Sequence, residues 1–160
     1  ANRAYDNRTA GHDNIAGQNI PVEIDTHVAG VLRFAQGAVA TVITSFDVWK
    51  SVLPRIEIHG TAGSLSVPDP NRFDGEVTLF TPESGTWETV EHQHRSDIHR
   101  GIGVADMARC IEANEPHRAS GALALHVLET MLAFGESSTS GQHIILQSTV
   151  EMPAALEVNL

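Results

Sequence analysis

Cysteine is almost absent from this sequence, which has 160 residues and only Cys110. A single cysteine excludes an internal disulfide and any metal site built on several thiolates. The neighbours Met107, Ala108 and Ile111 recur at helical spacing around it. We therefore predict that Cys110 is a small apolar residue near a helix core, in a protein of the reducing cytoplasm.

Positive charge and long apolar runs are also scarce. Lys and Arg total 10 against 20 Asp and Glu, for a net charge of −10. We therefore expect no nucleic-acid or anionic membrane partner, because both need clustered positive charge. No apolar run approaches the ~20 residues of a membrane span, and no signal-peptide pattern opens the chain. The sequence begins with Ala rather than Met, so we expect a piece of a longer protein.

Residues 1–20 show no regular period, but from Asp25 onward the sequence shows the period of two that is typical of strands. Residues 27–34 and 38–46 alternate in this way, and Ala35-Gln36-Gly37 links them. Three linking residues ending in Gly predict a hairpin whose Gly adopts the left-handed conformation. Shorter patterns predict further strands over residues 55–59, 64–67, 76–80 and 87–91.

The last third is helical in pattern. An apolar stripe predicts a helix over residues 103–114, and a second helix over 120–135 is apolar enough to be buried. Residues 143–148 look like a closing strand. Strands followed by two helices indicate an α+β fold: an open, mainly antiparallel sheet with two helices packed on one face. We expect one domain over residues 1–148, with an extended loop over 1–20 and a tail over 149–160 outside the compact part.

Both faces of the predicted hairpin are apolar. Val31, Val39 and Ile43 share one face, whereas the other carries Leu32, Phe34, Val42 and Phe46. Two helices can cover only one of these faces, and monomers usually avoid leaving a contiguous apolar patch in water. We therefore predict self-association through the sheet.

Two motifs suggest cofactor or metal chemistry without establishing it. Gly101-Ile102-Gly103 lacks both the preceding apolar strand and the third small residue of a dinucleotide fingerprint, so we interpret it as a helix start. His92, His94 and His99 could share a cation, which leaves a small metal-dependent enzyme as one hypothesis. A solvated loop is the alternative.

Asp47-Val48-Trp49-Lys50 follows an apolar strand and mixes charge with an aromatic side chain. Such a mixture is found in loops that line carbohydrate sites. The structural alternative is an ordinary strand end with a semi-buried Trp.

Several segments together resemble a known family. Thr26 to Leu32, Gly37 to Thr41, Ser45 to Trp49 and Ile56 to Asn71 resemble consecutive parts of the substrate domain of the Gfo/Idh/MocA family, the glucose–fructose oxidoreductase and inositol dehydrogenase relatives. Arg100 to Met107, Pro116 to Gly121 and Leu125 to Leu128 are similar to its closing helices. The resemblance implies an NAD(P)-dependent oxidoreductase of sugars or cyclitols, whose open sheet also builds the oligomer.

The family's Rossmann half, with its Gly-rich loop and Glu-Lys-Pro lysine, does not appear in this sequence, so no catalytic residue is carried over. The resemblance implies the C-terminal portion of such an enzyme, with NAD or NADP bound by the parent and neither bound by this chain. It also implies a sugar-like substrate and a homo-oligomer. The wall of the substrate pocket would be formed by Asp47, Trp49 and Lys50, with Arg3, Tyr5 and Arg100 as further candidates. A non-enzymatic oligomerisation or interaction module is the alternative.

Overall fold

The computed structural model describes residues 1–11, 13–91 and 100–156. The chain divides into two compact units. The first contains Ala1–Ser51 and Ala122–Val150, and the second contains Val52–Gly121 and Glu151–Leu160. The antiparallel sheets and two helices confirm the predicted α+β class. The described strands form three sheets, however, and not the single open sheet that we expected.

The first unit is built on a two-stranded hairpin. Strands β3 (His27–Arg33) and β4 (Val39–Ser45) pair antiparallel, with His27 opposite Ser45 and Arg33 opposite Val39. Gly37 has a φ of 96° in the connecting turn, so the predicted left-handed glycine is confirmed. Helix α2 (Gly121–Ser140) belongs to the same unit from Ala122 onward.

The N-terminal residues are more ordered than the sequence suggested. Strands β1 (Asn7–Thr9) and β2 (Asn19–Pro21) pair antiparallel, with a 3₁₀ turn at Asp13–Ile15 between them. The prediction of an extended loop over residues 1–20 is therefore wrong in this part. Strands of three residues are too short to show a period of two, so the pattern could not reveal them.

The second unit holds a four-stranded antiparallel sheet and helix α1 (Ile102–Ala113). Its strands are β5 (Ile56–His59), β6 (Ser64–Val67), β7 (Val77–Phe80) and β8 (Trp87–Val90), paired in chain order. Asn114 caps the C-terminus of α1, and its N–H donates to the carbonyls of Cys110 and Ile111. Its left-handed φ of 55° turns the chain so that the Glu115 N–H also reaches the Cys110 carbonyl, at 2.8 Å.

A buried ion cluster ties helix α1 to later parts of the second unit. The Asp106 side chain accepts hydrogen bonds from the Arg118 guanidinium and, at 3.2 Å, from the Arg118 N–H. Arg118 also donates to the carbonyls of Ala154 and Ala155, both at 2.9 Å. The tail that we expected outside the compact part is therefore held at these two residues.

The predicted closing strand over residues 143–148 is wrong, since the structure gives no strand there. The Glu129 carboxylate on α2 accepts the backbone N–H groups of Gln147 at 2.6 Å and Ser148 at 2.9 Å. These amides are thus satisfied by a helix side chain and not by a strand ladder.

Large apolar side chains are incompletely covered throughout the described residues. Cys110, with 2% of its surface exposed, is their one buried hydrophobic residue, which confirms its predicted place in a helix core. The prediction that the second helix is buried is wrong: no residue of α2 is buried, and Leu132 is 66% exposed. An apolar helix in this state lacks its covering surface within the described chain.

Candidate functional site

Asp47 lies at the end of β4 and is enclosed by polar partners from three parts of the first unit. Its side chain is only 9% exposed. The carboxylate accepts hydrogen bonds from the Thr26 hydroxyl at 2.6 Å, from the Ala4 N–H at 3.3 Å and from the Arg8 guanidinium. These contacts join residues up to 43 positions apart in the sequence.

These partners favour the ionised carboxylate. The hydroxyl of Thr26 contributes most to lowering the pKa of Asp47 below its usual range, followed by Arg8 and the Ala4 N–H, while partial burial opposes the shift. At neutral pH Asp47 is therefore an anion whose charge is already compensated within the chain. It has little capacity left to bind a ligand.

Arg8 extends this cluster toward the N-terminal segment, which we define as residues 1–9. Besides the ion pair with Asp47, it donates to the carbonyl of Phe46 at 2.7 Å. Its guanidinium carbon lies 5.7 Å from the centre of the Tyr5 ring, within the range of a cation–π contact. Arg8 therefore positions Tyr5, which is about half exposed.

Trp49 and Lys50 follow Asp47 but have a different environment. The Trp49 side chain is 95% exposed and Lys50 is exposed as well. The alternative prediction of a semi-buried Trp at a strand end is therefore wrong. An exposed indole is available to stack on an apolar or sugar-like surface.

Arg3 lies in the same unit but is oriented by other groups. It donates to the carbonyl of Val22 at 2.5 Å and pairs with Asp6 at 3.4 Å. It also lines an open groove of about 530 Å³, together with the charged Glu23 and Asp25 and the apolar Val28 and Met131. This groove combines charged and apolar groups, as many small-molecule sites do.

Five of the six predicted site residues lie in the first unit, and within it Arg8 links Asp47 to Tyr5. Arg100, the sixth, belongs to the second unit and donates to the side-chain oxygen of Asn71. Sequence reasoning missed Arg8 and Thr26, the two side chains that hold Asp47. No local sequence pattern marks either residue, because Arg8 and Thr26 lie 39 and 21 positions away from Asp47 in the sequence.

Metal and dinucleotide hypotheses receive no further support from the described part of the chain. Within it, no three His, Cys, Asp or Glu side chains are grouped as a metal site would require. The hypothesis based on His92, His94 and His99 lies outside the described residues. Gly101 caps helix α1, which confirms the predicted helix start.

Comparison with known families finds a match over part of the chain. The family model of the GFO/IDH/MocA C-terminal domain matches residues 4–66. Residues 4–66 are therefore similar to the C-terminal domain of this oxidoreductase family. The match to this domain contains the β3–β4 hairpin, Asp47, Trp49, Lys50 and Tyr5, whereas Arg3 and Arg100 lie outside it. No curated protein and no solved structure matches the chain. Among the described helices, none has the length and apolarity required to cross a bilayer.

Proposed function

We propose that this chain forms the substrate wall and oligomer interface of an NAD(P)-dependent oxidoreductase that acts on sugars or cyclitols. The observation that carries the proposal is the match of residues 4–66 to the C-terminal domain of an oxidoreductase family. In the proposed parent, NAD or NADP accepts or supplies the hydride, and this chain binds and orients the substrate. Alone it is not a competent enzyme, and its compartment is the cytoplasm.

The distribution of exposure around Asp47 supports a binding role for the segment that follows it. Trp49 offers an uncovered aromatic face, and Lys50 provides an exposed donor beside it. A sugar ring presents apolar C–H faces and a rim of hydroxyl groups, so an indole next to hydrogen-bond donors suits both. Arg3 and Tyr5 add a second group of polar side chains from the N-terminal segment.

The outer face of the hairpin supports the oligomer interface. Val39, opposite Arg33 in the ladder, is 65% exposed, and Val31 and Ile43 on the same face are more than half exposed. The opposite face is approached by α2, because the Phe134 ring lies over Gly30. A second copy of the chain would bury the outer face, as we predicted from the sequence.

An assembly module without enzymatic activity is the second candidate, and the same exposed hairpin face favours it. Steady-state kinetics of the full-length parent enzyme distinguish the substrate-wall role from the assembly role. We expect Trp49→Ala and Lys50→Ala to raise KM for the sugar substrate while the affinity for the nicotinamide cofactor is unchanged. Unchanged sugar kinetics in both variants would contradict the substrate-wall proposal and leave the assembly role.

A further inference from the structure

We infer that Asp47 is a positioning residue that fixes the N-terminal segment beside the end of β4. Tyr5 is thereby held against Arg8, which binds Phe46 and Asp47 shortly before the exposed Trp49. The role of this surface in substrate binding rests on the proposed function, whereas the positioning itself is argued from contacts within the first unit. The inference also revises the sequence-based hypothesis that Asp47 itself binds substrate.

The burial of Asp47 argues against direct contact with a ligand. A side chain that is 9% exposed offers little surface to a sugar. Three donors, from Ala4, Arg8 and Thr26, already occupy much of the acceptor capacity of its two oxygens. Trp49, two residues later, is almost fully exposed. Positioning and contact are thus divided between neighbouring residues.

The three donors come from separate parts of the unit. Thr26 precedes β3, whereas Ala4 and Arg8 belong to the N-terminal segment. Additional backbone hydrogen bonds join the same parts: the Phe46 N–H donates to the Thr26 carbonyl at 2.8 Å, and the Thr26 N–H donates to the Asn2 carbonyl at 3.0 Å. The carboxylate therefore lies where the N-terminal segment, the start of β3 and the end of β4 meet.

Arg8 transmits this arrangement to Tyr5. Its guanidinium is held by Asp47 and the Phe46 carbonyl while it lies over the Tyr5 ring. Without the carboxylate, Arg8 would lose its ionic partner, and the N-terminal segment would lose the Ala4 contact as well. Charged hydrogen bonds of this type are among the stronger ones in proteins, so their loss is expected to release the segment.

The test is hydrogen–deuterium exchange of the peptide covering residues 1–9, measured by mass spectrometry in the full chain. We expect Asp47→Asn and Thr26→Val to increase its exchange rate about tenfold. Thr26→Ser keeps the hydroxyl and should restore the wild-type rate. Thr44→Val is the matched control, because it makes the same chemical change on β4 at an exposed position.

Titration calorimetry with D-glucose and myo-inositol separates positioning from contact. We expect Asp47→Asn to weaken binding about tenfold together with the faster exchange, and Trp49→Ala to weaken binding without altering exchange. Weaker binding in Asp47→Asn with unchanged exchange would overturn the inference, because Asp47 would then act on the ligand directly. Unchanged exchange in both Asp47→Asn and Thr26→Val would overturn it as well.

The two proposals fail in different ways. If the wild-type chain binds neither sugar, the substrate-wall proposal loses support, while the exchange rates still decide whether Asp47 fixes the N-terminal segment. If circular dichroism shows that Asp47→Asn is unfolded, Thr26→Val with its Thr26→Ser rescue decides the same question.

Discussion

Replacing Gly30 with Ala tests the contact that joins α2 to the β3–β4 hairpin. A Cβ atom at this position would lie 2.5 Å from Cε1 and 2.7 Å from Cδ1 of Phe134. Both distances are well below van der Waals contact, so the aromatic ring must shift. Overpacking of this type costs about 1–3 kcal/mol. We therefore expect Gly30→Ala to lower the free energy of unfolding by that amount.

Urea unfolding followed by circular dichroism at the helix band measures this loss. Gly135→Ala is the control, since the position adjoins Phe134 on α2 and a Cβ there meets nothing within 4 Å. It should leave stability unchanged or raise it by up to about 1 kcal/mol, because Ala is the better helix former. Combining Gly30→Ala with Phe134→Leu removes part of the ring and should recover some of the loss. A Gly30→Ala variant as stable as wild type, with no coupling to Phe134 in the double mutant, would refute this packing.

Three further expectations follow from the same structure and sequence. Titration calorimetry of the isolated chain with NADH and NADPH should show no binding, because the sequence has no dinucleotide fingerprint; micromolar binding would contradict this. Sedimentation velocity at tens of micromolar should show an oligomer that Val39→Glu dissociates, and a wild-type monomer would mean that the hairpin face is not an interface. The pKa values of Asp47 and Asp106 are lowered in the folded chain. The stabilisation that these two carboxylates contribute should therefore be fully present above their ordinary pKa of 3.8 and be lost as the pH falls through the folded-state values. Arg118→Met should reduce that acid sensitivity, which acid titration followed by circular dichroism would show.

The sequence predicted correctly those elements whose conformation is decided by a few neighbouring residues. The β3–β4 hairpin combines a period of two with a glycine at the one turn position that needs a positive φ, and the structure contains both. Asn114 ends helix α1 in the left-handed conformation for a similarly local reason. Such elements can be inferred from the sequence because few residues decide them.

Features that depend on distant partners could not be inferred in this way. Residues 143–148 have the apolar alternation of a strand, but Glu129 on α2 accepts the amides of Gln147 and Ser148. The sequence likewise drew attention to Asp47 as a charged residue beside an aromatic one. Nothing near it in sequence indicated that Arg8 and Thr26 would enclose it.

The sparse apolar core gives the two enclosed aspartates a common role. Among the described residues Cys110 is the one buried hydrophobic side chain, so long-range order depends more than usual on polar contacts. Asp47 holds the N-terminal segment through Ala4 and Arg8, and Asp106 holds Arg118, which in turn binds the carbonyls of Ala154 and Ala155.

Each unit thus uses one carboxylate to fix a segment that is distant in the sequence. Hydrogen-bonded carboxylates are directional, whereas apolar contacts are not, so they can fix a segment where little apolar surface is buried. The exposed apolar faces of α2 and of the hairpin are then available for partners instead of being used to hold the chain together. This division of roles is compatible with the substrate-wall and assembly roles that we propose for the chain.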